Sequence, residues 1–180
     1  MSTVCHKVFI SYHHDDQDEV DEFIKKFDYE CGVFITRSLG IGMAQDIIDS
    51  SDTDYVMRRI RELYLKDSTA TIVLIGKCTW ARRYIDWEIQ ASLRHGATIT
   101  PNGLLGIKLP SYKNYVYPNR LNMNLKQNEE QEDCYARVIN YPENSDSLKH
   151  RIEDAFNART TRTHLIVNPR DRFVYNKTCP

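Results

Sequence analysis

The stretch from Thr71 to Ile89 constrains the fold of this chain more than any other. Thr71-Ile72-Val73-Leu74-Ile75-Gly76 is a continuous apolar run of strand length closed by a glycine, and it reads as a buried strand. After Gly76 the spacing becomes helical. Projected at about 100° per residue from Trp80, the residues Trp87, Ala91, Tyr84, Glu88, Ser92, Ile85 and Ile89 fill one arc. Arg82, Asp86, Gln90, Arg83 and Arg94 fill the opposite one. Glu88 is then the one acid on the apolar arc, with Tyr84 a turn earlier. A carboxylate in that position loses hydration, and it either finds a partner or titrates high. The bland reading is a boundary glutamate that snorkels outward or pairs with an arginine. The functional reading is a catalytic carboxylate near the carboxyl end of a parallel strand, where open α/β sheets bind ligands.

The rest of the chain repeats the strand-then-helix pattern. Lys7–Tyr12 reads as a first strand, and the acids from Asp15 to Glu19 suit the start of a helix with Val20, Phe23, Ile24 and Phe27 inward. Val33–Ile35 is a short second strand, followed by a long polar loop from Thr36 to Thr53. Asp54–Lys66 reads as a helix with Val56, Ile60, Leu63 and Tyr64 inward and Arg58, Arg59 and Arg61 outward. Gly96 is read as the stop of the Glu88 helix. Leu104–Leu109 and Ala136–Tyr141 complete five strands, and Ser145 is read as the cap of a last helix. A further short strand is read at His164–Val167. This alternation predicts an α/β fold, a flavodoxin-like three-layer sandwich on a five-stranded, mainly parallel sheet of order 2-1-3-4-5. Residues 1–180 are expected to form a single domain with a core of about 6–158 and an extension from 160 to 180. The switch point of such a sheet brings the end of strand one (Ser11, Tyr12, His13) beside Gly76.

Composition removes several classes of function. The net charge of −1 gives no general attraction to nucleic acid or to a membrane surface. No apolar run approaches membrane-spanning length, and the first twenty residues lack a signal-peptide core. Five scattered cysteines without a CxxC pair point to reduced thiols and a cytoplasmic setting. His13-His14-Asp15-Asp16 contains metal-ligand types, but adjacent side chains diverge, so the expectation is no metal and a helix start with pocket contacts. Gly40-Ile41-Gly42 lacks the strand–turn–helix setting of a dinucleotide loop. Arg37 is either a phosphate contact or a solvated loop residue. Ser11 with His13 has no third triad member.

Val8-Phe9-Ile10-Ser11-Tyr12 before an acidic helix start resembles the opening strand of TIR domains. Gly32-Val33-Phe34-Ile35 with its long loop, and Tyr84-Ile85-Asp86-Trp87-Glu88-Ile89, resemble further TIR segments. Together with Pro118-Asn119-Arg120-Leu121 and the helix from Leu148 to Ala155, they are similar to the TIR-like protein of Thoeris antiphage systems. Tyr84 stands where many TIR domains carry Trp, Ile85 where many carry Cys, and His13-His14 where small or basic residues are usual. The resemblance implies cleavage of NAD at the nicotinamide–ribose bond with Glu88 catalytic and NAD as substrate, not cofactor. It also implies a cyclic ADP-ribose isomer released to a partner effector. The expected substrate contacts are Ser11, Tyr12, His13, Arg37, Trp80 and Tyr84. Expected partners are that effector, a phage-derived activator and other copies of the chain. A non-enzymatic TIR adaptor and a nucleoside deoxyribosyltransferase are the competing readings.

Overall fold

A computed structural model of the chain describes residues 5–30, 32–37, 50–113 and 116–180; the side chain of Arg37 and the loop residues 38–49 lie outside the described residues. Five parallel strands form one sheet: β1 (His6–Ser11), β2 (Phe34–Arg37), β3 (Ala70–Ile75), β4 (Gly103–Lys108) and β5 (Arg137–Ile139). Their order is β2-β1-β3-β4-β5, as the sequence predicts. The pairing of Ser11 with Val73 sets the carboxyl ends of β1 and β3 side by side.

Strand alternation sorts the core into two layers. Val8, Ile10, Ile72, Leu74, Leu105 and Ile107 face one way. They meet Val20, Phe23 and Ile24 of α1 (Gln17–Ile24) and Leu148, Ile152 and Ala155 of α5 (Ser145–Thr161). The other face packs on α2 (Thr53–Ile60), α3 (Arg83–Ser92) and the short α4 (Asn119–Asn122) through two clusters. Phe9 meets Val56, Met57, Ile60 and Trp87, while Val73 and Ile75 meet Ile85, Ile89 and Leu121. Gly32, at φ 56°, turns the chain from the first helix into β2, a left-handed conformation that glycine adopts without steric penalty.

Several expectations are corrected. A wider π-type turn, Arg61–Leu65, follows α2 and shifts the helical phase, so Leu63 is exposed while Leu65 is buried; Met57, within α2, is buried as well. Asn144, not Ser145, caps α5, accepting the Ser147 N–H at 2.9 Å. α3 ends at Ser92 rather than at Gly96. No strand forms at His164–Val167: Thr163–Leu165 is a 3₁₀ turn, and the chain beyond it runs back along α3. Cys78 and Cys179 form a disulfide, which corrects the expectation of five reduced thiols. The chain folds the tail back onto the loop after β3, bringing together two cysteines 101 residues apart.

Candidate active site

The site grows from the ends of β1 and β3. Alternation turns Phe9 and Ser11 to the α3 side and Tyr12 to the α1 side. Ser11 Oγ donates to Glu88 Oε2 at 2.6 Å inside the protein. Tyr12 packs on the opposite core layer and donates to Gln17 Oε1 at 2.8 Å. Of the residues expected around Glu88, Ser11 is the one that hydrogen-bonds to its carboxyl group among the described residues, while the Glu88 charge acts on Tyr12.

The loops after the two strands lock together. Gly76 N–H donates to Thr79 Oγ1 at 2.9 Å, and that hydroxyl approaches Asp16 Oδ2 at 3.4 Å. A Cβ on Gly76 would collide with the Asp16 carboxyl group, so the absence of a side chain lets that carboxyl group approach closely. Burial raises the pKa of Asp16, with the Thr79 hydrogen bond opposing.

Glu88 lies in the second turn of α3. Arg82, extended at φ −100° and ψ 124°, separates this helix from the 3₁₀ turn Thr79–Ala81. The separation takes Trp80 out of the helical phase assumed for it. Trp80 instead lines a cavity of about 280 Å³ with Tyr117, Asn119, Phe173 and Lys177, among others; neither Ser11 nor Glu88 lines it. Tyr84 packs into the α2 cluster and stacks edge-on against Trp87 at 5.3 Å between centroids. Arg83 does not point away, because its guanidinium covers the Tyr84 ring at 4.8 Å and the Trp87 ring at 5.5 Å.

α3 is buried from Ile85 to Ser92, including the arc expected to face water. Asp86 accepts from Arg120 Nε at 2.9 Å, and both side chains are almost fully enclosed. Gln90 donates to the Pro169 carbonyl at 2.9 Å. Glu88 is therefore not the only buried acid of the helix, but it is the one without a cationic partner among the described residues. Burial pushes its pKa up to about 8, and the Ser11 hydrogen bond, which favours the charged form, pulls less strongly the other way. Such a carboxyl group holds its proton at neutral pH until a cation arrives beside it.

Arg82 and Thr79 were not singled out in the sequence. The charge of Arg82 acts on His13, and its Nε is buried without a hydrogen-bond partner among the described residues. The expected divergence of His13, His14 and Asp15 is not seen: their ligand atoms all lie within 4.8 Å of one another. His13 is extended and His14 opens a 3₁₀ turn, so the chain curls the three side chains together.

A parallel 2-1-3-4-5 sheet with a buried glutamate beside the end of β1 defines a TIR-like α/β domain. A family profile described as Thoeris protein ThsB, TIR-like domain, matches residues 9–114, more than half of the chain. The chain belongs to that Thoeris TIR-like family, which gives it a Thoeris-type antiphage defence role. The match runs from Phe9, within β1, through β4, includes Glu88, and ends before α4, β5 and α5. No curated protein matches the chain significantly. Among the described residues, no helix is long and apolar enough to cross a membrane.

Proposed function

We propose that this protein is a cytoplasmic enzyme that cleaves the nicotinamide–ribose bond of NAD and closes the product into a cyclic ADP-ribose isomer. That isomer is the signal to a partner effector in antiphage defence. The observation that carries this reading is the buried Glu88 carboxyl group, held by Ser11 at 2.6 Å where β1 and β3 end. Nicotinamide leaves as a neutral base, so the reaction needs no acid for the leaving group. It needs one negative group against the oxocarbenium character that develops on the ribose. The positively charged nicotinamide riboside is itself the cation that draws the proton off Glu88. Cyclisation follows if a nucleophile of the same molecule reaches the anomeric carbon before water, which an enclosed site favours.

An adaptor has no use for a carboxyl group held at this disadvantage. The test is mass spectrometry of products after incubation of wild type and Glu88→Gln with NAD or with deoxynucleosides. Wild type is expected to release nicotinamide and a cyclic product from NAD. Glu88→Gln keeps the side-chain volume and removes the charge, so turnover should fall at least ~10²-fold. A variant retaining more than about a tenth of the rate would sink the assignment. Base exchange on deoxynucleosides would favour the deoxyribosyltransferase, and a folded wild type inert toward both would favour the adaptor.

A further inference from the structure

We propose that His13, His14 and Asp15 form a binding site for a late first-row divalent cation such as zinc at the carboxyl end of β1. Three observations carry the assignment. The two imidazoles bracket one carboxylate: His13 Nε2 lies 3.0 Å from Asp15 Oδ2, and His14 Nε2 lies 3.0 Å from Asp15 Oδ1. Ligand atoms around a tetrahedral zinc stand ~3.3 Å apart, as bonds of about 2.0–2.1 Å require. Each imidazole nitrogen therefore stands about as far from an Asp15 oxygen as two zinc ligands stand from one another, and the three ligand atoms all lie within 4.8 Å.

The second observation is the state of His13. It is 5% exposed, and its Nε2 is buried with no hydrogen-bond partner among the described residues beyond the close approach of Asp15 Oδ2 at 3.0 Å. A buried imidazole nitrogen with no partner is a donor in search of an acceptor or a lone pair in search of a Lewis acid.

The third is the local field. Arg82 opposes a cation here, but Asp15, Asp16, Asp18 and Glu19 surround the turn, and the charges of Asp15 and Glu19 both act on Asp16. Two imidazoles and one carboxylate select zinc-like ions over magnesium or calcium, which take oxygen ligands. Three protein ligands leave a further position open to water or to an exogenous group. His13 follows Ser11 by two residues, so their Cα atoms stand roughly 7 Å apart along the chain.

Cobalt(II), titrated into the tag-free full chain and followed by its visible d–d absorption, tests the site. His14 is 84% and Asp15 65% exposed, so His14→Ala and Asp15→Asn leave the core intact. The expected result is one cobalt per chain, displaced by zinc and not by equimolar magnesium. Each variant should bind at least ~10-fold more weakly, as losing a ligand should weaken the site no less than losing an outer-shell partner does. Absence of the band in wild type, or equal affinity in wild type and both variants, overturns the assignment. The readout is metal binding alone, so either result leaves the NAD reading of Glu88 to be judged by its own assay.

Discussion

Ser11 and Glu88 pull in unequal measure on one proton. The hydroxyl favours the carboxylate, burial favours the acid, and burial wins, so the group titrates near 8. If the carboxylate is the active form, kcat/KM for NAD reports its ionisation in the free enzyme. The sign follows directly: a raised carboxyl pKa makes kcat/KM climb about tenfold per pH unit below the limb and level off above about 8. Ser11→Ala removes the group that favours the charge, so the limb should move to higher pH. Each unit of movement lowers kcat/KM about tenfold at pH 7, with the loss recovered well above the limb. A loss equal at every pH would make Ser11 a substrate contact instead. Glu88 was legible from its place on the apolar arc, and Ser11 from its place at a strand end. Tyr12 was grouped with them by chain position, although strand alternation alone sends it to the other face. His13 and His14 were set aside as metal ligands, though not as pocket contacts, on the rule that neighbours diverge, which fails where an extended residue meets a 3₁₀ turn.

The helix that carries Glu88 is held from behind by material far away in sequence. Arg120 donates to both Asp86 oxygens, to Asn168 Oδ1 and to the carbonyls of Pro169 and Asp171. Trp87 Nε1 donates to the Phe173 carbonyl, Asn176 Oδ1 accepts from the Arg83 N–H, and the Cys78–Cys179 disulfide closes the strap. Arg120→Met would leave Asp86 a buried charge without its cation. Stability should fall by about 3–5 kcal/mol, read from urea midpoints at constant m. Lys66→Met on the exposed surface should change it by less than about 0.5 kcal/mol. Equal midpoints for Arg120→Met and wild type would show that the strap does not depend on the ion pair. None of this was legible locally. Helical projection assigns Asp86 and Gln90 to water because it sees only one helix, and their partners lie 34 and 79 residues away. The strands were readable because each is a short apolar run between turn residues. The start of α3 was not, because one extended residue, Arg82, resets the phase without any proline or glycine to mark it.

At the scale of the whole molecule, the Glu88 site is incomplete as a nucleotide pocket among the described residues. Trp80 and Tyr84, the expected stacking surfaces, sit in a separate cavity and in the α2 cluster. β2 is an edge strand of the sheet and carries the exposed Ile35, in register with Lys7. Under the proposed function, a resting chain of this kind turns over NAD slowly, and association with other copies or with a phage-derived partner supplies the missing walls. An NAD consumer that was always active would harm the cell that makes it. Population arithmetic sets the scale: if the competent form is about 1% of the chains, the partner must prefer it by ~10⁴-fold to bring it to 99%. The measurement is specific activity on NAD across a dilution series with the mass of the species followed in parallel, repeated with extract from infected cells. Activity per chain should rise with concentration or with extract, in step with the appearance of a larger species. Full activity at nanomolar concentration in a verified monomer, unchanged by extract, would show that one chain holds the whole site and that association has no part in completing it.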